Sequence, residues 1–158
     1  MALATGTPAP TFNKRGDNGD RIDLGEFKGK KNVLLAFFPG AFTSGCASEM
    51  ANLNQAIKQF EELDTQVIGM SLDSQFSLRA FSNSLGSLRF PLVTDFNPKG
   101  SVSKDYDIWN GESERGHNVR ATFIIDKEGI IRFSETYEAG MLPDAKELVA
   151  EVAKVAKQ

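Results

Sequence analysis

The segment Asn32-Val33-Leu34-Leu35-Ala36-Phe37-Phe38 is apolar at every position after the first and stops at Pro39-Gly40. A strand with one face in water alternates polar and apolar residues, whereas a strand covered on both faces does not alternate. The run therefore predicts a central strand buried between two layers, and with it an α/β architecture. Beyond Pro39-Gly40, Met50, Leu53, Ile57 and Phe60 recur at helical spacing between Ser44 and about Glu62. The chain must then pass from a buried strand into a helix within a few residues.

The remaining segments fit that layering. Gly6 to Asp23 is rich in Gly, Pro, Asn and Asp, and Gly16-Asp17-Asn18-Gly19 is a turn signal, so a small hairpin or extended arm is expected. Gln66–Leu72 reads as a second strand. Asp73-Ser74 reads as a helix start, with Phe76, Ala80, Phe81 and Leu85 expected on one face. Pro91-Leu92-Val93 is a short strand and Pro98–Asp105 a short helix. Asn118–Asp126 and Ile130–Tyr137 are strands joined by the turn Asp126-Lys127-Glu128-Gly129. A last helix over Pro143–Lys157 turns Ala145, Leu148, Val149, Val152 and Val155 inward, with Pro143 and Asp144 in its first turn. The order after the arm is βαβαβαββα. It predicts parallel pairing under helices, with an antiparallel edge from the late hairpin.

The 158 residues suffice for one domain, taken as 1–158, and no repeat or linker interrupts them. A net charge of −3, without a basic block, argues against nucleic acid and anionic membranes as partners. No segment is long and apolar enough to span a bilayer. Met1-Ala2-Leu3-Ala4-Thr5 has no basic stretch followed by an apolar one, so a cytoplasmic location is expected. One cysteine, Cys46, and one histidine, His117, exclude an internal disulfide and a soft-metal cluster. Neither a metal nor a cofactor is expected.

Cys46 lies at the strand-to-helix junction, in Pro39-Gly40-Ala41-Phe42-Thr43-Ser44-Gly45-Cys46. Backbone N–H groups and the dipole of a helix N-terminus stabilise an anion there, and a thiolate is a nucleophile where a thiol is not. Gly40 and Gly45 let the backbone approach a ligand, Pro39 can wall the site, and Thr43 can turn its hydroxyl to the sulfur or to a bound oxygen. Glu49 stands one helical turn further on. No Cys-x-x-Cys is present, which excludes dithiol exchange of the thioredoxin kind. Arg120 interrupts an otherwise buried strand, Val119 to Ile125, and a buried guanidinium requires an anion nearby. The thiolate is one candidate; snorkelling to solvent and pairing with Glu49 are the others. Plainer roles stand beside each of these residues. Cys46 can be an inert core thiol, and Thr43 or Ser44 a helix cap. His117 suggests a cysteine hydrolase in principle, but its polar loop, Asn110 to Asn118, marks it as a surface residue. Tyr106 and Trp109 read as core or subunit-contact residues, and Met141 as loop packing.

The run Pro39-x-x-x-Thr43-x-x-Cys46, followed far downstream by Arg120, resembles the active-site signature of peroxiredoxins. Ala36–Thr43, Phe90–Asp95 and Arg120–Asp126 are similar to that family's strands, so the resemblance covers nearly the whole chain. Ala41-Phe42-Thr43 and Phe96–Ser103 look most like its one-cysteine, alkyl hydroperoxide reductase E branch. The resemblance implies a thioredoxin-like fold, a mixed central sheet flanked by helices with an N-terminal hairpin. It also implies a thiol-dependent peroxidase. Cys46 is then the peroxidatic nucleophile, which becomes a sulfenic acid on attacking a hydroperoxide. Thr43, Arg120 and backbone N–H groups stabilise the peroxide oxygens, Pro39 shields the sulfenic acid, and Glu49 holds Arg120. Two-cysteine relatives carry a resolving thiol five residues on, where this chain has Ala51, or in later segments such as Leu78–Leu85 and Val149–Gln158, which hold none. The expected reductant is therefore external: a glutaredoxin-like protein, thioredoxin or a low-molecular-weight thiol. A homodimer or larger homo-oligomer is also expected. The competing classes are a non-enzymatic redox sensor or chaperone with an oxidisable Cys46, and an inactive thioredoxin-like binding domain. Phe38, Phe42 and Phe81 are compatible with alkyl or lipid hydroperoxides as well as hydrogen peroxide.

Overall fold

The computed structural model describes residues 2–157; Met1 and Gln158, the ends of the expected domain, lie outside the described residues. The N-terminal arm is the hairpin β1 (Asn13–Arg15) and β2 (Arg21–Asp23), followed by a single 3-10 turn, Leu24–Phe27. Then come β3 (Asn32–Phe37), α1 (Ser44–Gln55), α2 (Ile57–Glu62), β4 (Thr65–Ser71), α3 (Gln75–Ser84), β5 (Leu92–Thr94) and α4 (Ser101–Asp105). A short ribbon, β6 (Trp109–Asn110) and β7 (His117–Asn118), leads into β8 (Arg120–Ile125), β9 (Ile131–Tyr137) and α5 (Ala145–Ala156).

The main sheet has the order β5-β4-β3-β8-β9, which puts β3 at its centre as its composition requires. All six residues of β3 are buried. Its side chains alternate between two cores, as the two-residue period of a strand dictates. Leu34, Ala36 and Phe38 pack with Met50, Leu53, Phe60, Leu148 and Val152 of the helical layer. Val33, Leu35 and Phe37 face Phe12, Leu24, Val102 and Tyr106 on the other side. Burying one such aliphatic or aromatic side chain is worth roughly 1.5–3 kcal/mol. Where Phe38 and Met50 meet β4 the sheet has room only for Gly69, because a Cβ there would lie 2.6 Å from Leu92 Cδ2.

β3 pairs in parallel with β4, and β4 with β5. β8 joins the other side of β3 antiparallel, and β9 follows antiparallel. The late hairpin thus supplies an interior strand as well as an edge. The segment Ala121–Ile125, apolar but for Thr122 and buried throughout, accounts for β8 sitting inside. This pairing has a chemical consequence, since it brings the amino end of β8 to the carboxyl end of β3.

Four expectations about the elements are corrected. The helix expected from Ser44 to about Glu62 is two helices, because the Ala56 N–H is shared between Asn52 O and Leu53 O and the turn tightens there. Ile57 and Phe60 keep the apolar spacing across the break, so periodicity does not register it. In α3 the buried face is Leu78, Phe81 and Ser82, while Phe76 and Ala80 are exposed. Ser74 caps this helix by accepting from Ser77 N, and Leu78, Phe81, Ser82 and Leu85 form its 3–4–7 stripe. α4 starts at Ser101, with Gly100 in the left-handed region and buried Asp95 accepting from Val102 N and Ser103 N. α5 starts at Ala145, because Asp144 is extended and caps it, its carboxylate accepting from Lys146 N.

Candidate active site

Strand β3 delivers the chain to Pro39, and the turn that follows delivers it to the N-terminus of α1. Thr43 is the cap: its Oγ1 accepts from Cys46 N (3.4 Å) and its hydroxyl donates to Gly40 O (2.9 Å). Such a cap is worth roughly 0.5–2 kcal/mol. Cys46 therefore sits in the first turn of α1, where the helix dipole favours negative charge and no acidic side chain opposes it. The thiol is buried, 1% exposed.

The cation facing it is Arg120, the first residue of β8. Its Nη2 lies 3.5 Å from Cys46 Sγ. Its Nη1 donates to Glu49 Oε1, one helical turn beyond Cys46. One guanidinium thus bridges thiol and carboxylate, so both of the anions proposed for it from sequence are engaged. Gly45 leaves room beside it: a Cβ there would lie 3.3 Å from Arg120 Nη2, a tight contact that would press on the guanidinium, and 3.6 Å from Leu142 Cδ2.

Glu49 is 1% exposed, and its Oε2 has no hydrogen-bond partner. Burial pushes its pKa up from 4.5 to about 7, against the pull of the Arg120 charge and hydrogen bond. Burial works the other way on Arg120, but the charges of Glu49 and Cys46 outweigh it and raise its pKa. The two tendencies differ. Direct guanidinium contact favours a carboxylate, while the unpartnered Oε2 favours the acid, so the pair lies close to balance near neutrality. A carboxyl whose pKa is higher folded than unfolded binds the extra proton in the native state. Its contribution to stability is present below pH 4.5 and is lost as pH rises through about 7. Glu49→Gln removes this titration. Its melting temperature relative to the parent is expected to rise between pH 5 and pH 8, by at least the ~2–4 °C that about 1 kcal/mol makes in a domain of this size. Thermal melts at the two pH values check it; an offset that does not change with pH would contradict it.

The turn from Pro39 to Thr43 is held from several sides. Pro39 is half-buried. Asn118 Nδ2 donates to Phe38 O (3.0 Å), and Asp73 Oδ2 accepts from Ala41 N (2.8 Å). Phe42 has φ +66°, an uncommon conformation for a bulky residue that costs on the order of 1–3 kcal/mol. Its ring is 61% exposed and rests on Phe81 at 5.3 Å, and Phe81 in turn contacts buried Phe38. An aromatic series therefore runs from the core to the surface beside the thiol.

Cys46, Glu49 and Arg120 form one chain of contacts, with Thr43 joined through the Cys46 N–H. The Thr43 hydroxyl proton is directed at Gly40 O rather than at the sulfur. Asp73 and Asn118 were not singled out from sequence as site residues; Asp73 reads there only as part of a helix start. Their partners lie 32 and 80 residues away, and no local pattern announces such contacts. His117 is half-buried with its Nδ1 at 2.7 Å from Asn118 O. Tyr106 is a core residue whose hydroxyl donates to Pro10 O, and Trp109 is half-buried against Gly100 and Gly116. Met141, expected to pack in its loop, is 60% exposed, since it sits at the open rim of the cleft between β9 and α5. Among the described residues no helix is long and apolar enough to cross a membrane.

The sequence matches the AhpC/TSA family over residues 5–134. It is 36% identical over 144 residues to alkyl hydroperoxide reductase E of Mycobacterium tuberculosis, a span covering 91% of this chain and 92% of that protein. It is 41% identical over 133 residues to peroxiredoxin TSA1 of Saccharomyces cerevisiae, covering 78% of this chain and 65% of that protein. The fold superposes on the mitochondrial 2-Cys peroxiredoxin from Plasmodium falciparum with a TM-score of 0.86 at 28% identity, covering 96% of this chain and 94% of that one. Agreement of this extent, in sequence and in the whole sheet, makes the chain a member of the AhpC/TSA family and a peroxiredoxin.

Proposed function

We propose that this thiol-dependent peroxidase acts through Cys46, and that the Arg120 contact with its sulfur is the observation that carries the assignment. The Cys46 thiolate attacks the nearer oxygen of a hydroperoxide. An S–O bond forms, the O–O bond breaks, and the leaving alkoxide or hydroxide takes a proton and departs as alcohol or water. Sulfur is oxidised by two electrons to the sulfenic acid and the peroxide is reduced by the same two. Negative charge develops on the departing oxygen, and Arg120 with the backbone N–H groups of the first turn donates to it. Thr43 positions that turn through its cap on Cys46 N, and its hydroxyl reaches the peroxide by turning away from Gly40 O. Pro39 covers the sulfur and limits further oxidation, and Glu49 holds the guanidinium in place.

The chain has one cysteine, so the sulfenic acid has no thiol partner within it. An external thiol condenses with the sulfenic acid to a mixed disulfide and water; a second thiol then displaces Cys46 and leaves as the disulfide. A glutaredoxin-like protein, thioredoxin or a low-molecular-weight thiol fits this role, and the electrons come from thiols without a metal or cofactor. The exposed apolar residue Phe42 beside the site suits alkyl hydroperoxides as well as hydrogen peroxide, and a homodimer or larger assembly in the cytoplasm completes the proposal.

Peroxide consumption with excess thiol tests the cycle. The expected outcome is many equivalents reduced per protein. Consumption that stops at one equivalent, with a change in oligomer size, would instead identify a redox sensor.

A further inference from the structure

We infer that Asp73 is a positioning residue for Cys46: with its backbone anchored to two strand ends, its carboxylate holds the catalytic turn in the conformation that places the thiol against Arg120. The inference rests on Cys46 being the nucleophile.

The anchoring is tertiary and tight. Asp73 follows β4. Its N–H donates to Ser71 Oγ (3.2 Å), and its carbonyl accepts from Thr94 Oγ1 at the end of β5 (2.6 Å). With the backbone fixed at both strands, Oδ2 accepts two bonds, from Ser71 Oγ (2.7 Å) and from Ala41 N (2.8 Å). Ala41 lies in the middle of the turn from Pro39 to Thr43. The next residue is Phe42, in the left-handed region, and the one after it is Thr43, which caps α1 and accepts from Cys46 N. A bulky residue stays at positive φ only where its surroundings over-determine it. The Asp73 bond to Ala41 N is the restraint on the residue immediately before Phe42. If it is lost, the remaining holds on the turn, the Phe81 contact and the Thr43 bond to Gly40 O, no longer over-determine Phe42, and it relaxes toward negative φ. The cap and the first turn of α1 then shift with it, and the sulfur moves relative to Arg120, which is fixed separately on β8. Small displacements of a reacting atom are costly to rate.

Both side-chain bonds fall on one oxygen, which supplies a conservative control. Asp73→Asn keeps an amide oxygen able to accept both; Asp73→Ala keeps neither. In the full chain, Cys46 oxidation by hydrogen peroxide and its alkylation by iodoacetamide are timed in the parent and in both variants. The peroxide reaction needs the donors aligned around the oxygens, whereas alkylation, timed at a pH where the thiol is fully ionised in all three proteins, needs only a reachable thiolate. Asp73→Ala is expected to slow oxidation about tenfold or more without slowing alkylation, and Asp73→Asn to recover to within about threefold of the parent. An unchanged oxidation rate in Asp73→Ala, equal slowing of both reactions, or Asn no better than Ala would overturn the inference. If the parent itself shows no Cys46 oxidation, the assignment of the nucleophile fails and this inference with it. Should Asp73→Ala not fold, amide exchange in the parent decides: the Ala41 N–H must be protected, and free exchange refutes the restraint.

Discussion

Cys46→Ser abolishes thiol-dependent hydroperoxide reduction and leaves the chain folded. The first half follows from chemistry. The attacking species is a thiolate, and a serine hydroxyl in the same first turn stays protonated and is a poor nucleophile toward an O–O bond. No second cysteine stands by to replace it. The second half follows from the position. Cys46 is 1% exposed but lies in the first turn of a helix, where a hydroxyl finds a polar partner in Arg120. Serine is smaller than cysteine, so nothing is overpacked. Circular dichroism and a peroxide-consumption assay check the two halves together, and retained turnover in a folded variant would contradict the assignment.

Arg120→Ala is expected to slow the oxidation of Cys46 by about 10²–10³, the effect of removing one preorganised donor to a developing oxyanion, roughly 2.7–4 kcal/mol. Its effect on stability depends on pH for a reason visible in the structure. Breaking a buried ion pair typically costs about 3–5 kcal/mol, because one charge is stranded. Here the stranded group is Glu49, whose pKa is already about 7 with Arg120 present. Removing the guanidinium removes both influences that lower it, so the pKa rises further and Glu49 takes a proton. At pH 5 Glu49 is protonated in parent and variant alike, and the loss of stability is at its smallest. Above about pH 7 the parent regains a carboxylate paired with Arg120, while the variant must hold a proton or bury an unpaired charge, and the loss grows. The double variant Arg120→Ala with Glu49→Gln should recover the stability at pH 8 and none of the rate. Oxidation at the parent rate in Arg120→Ala would reduce Arg120 to a structural partner of Glu49.

The parts of this molecule legible in its sequence are those written in local patterns. The apolar run ending at Pro39-Gly40 is β3, at the centre of the sheet. The turn signal Asp126 to Gly129 is a hairpin turn in which Asp126 Oδ1 accepts from Glu128 N and Ile130 N. Cys46 at the start of a helix and Arg120 inside an apolar strand were both readable as anomalies of type and place, and the structure joins them. What sequence alone could not supply was contact between distant segments. Hydropathy at helical spacing continues through the tightened turn at Ala56. It also does not distinguish the stripe of Leu78 and Phe81 from the neighbouring one of Phe76 and Ala80. Asp73 has the spacing of a helix start, yet its side chain serves a turn 32 residues earlier. The ribbon of β6 and β7 is too short to carry a period.

Rapid mixing of the reduced protein with one equivalent of hydroperoxide, without thiol, followed by mass analysis of the intact chain and its peptides, tests the central claim most directly. One added oxygen on the peptide containing Cys46, formed as fast as the peroxide disappears, is the expected result. Peroxide consumption with Cys46 unmodified, or an unmodified Cys46 in untouched peroxide, would contradict it.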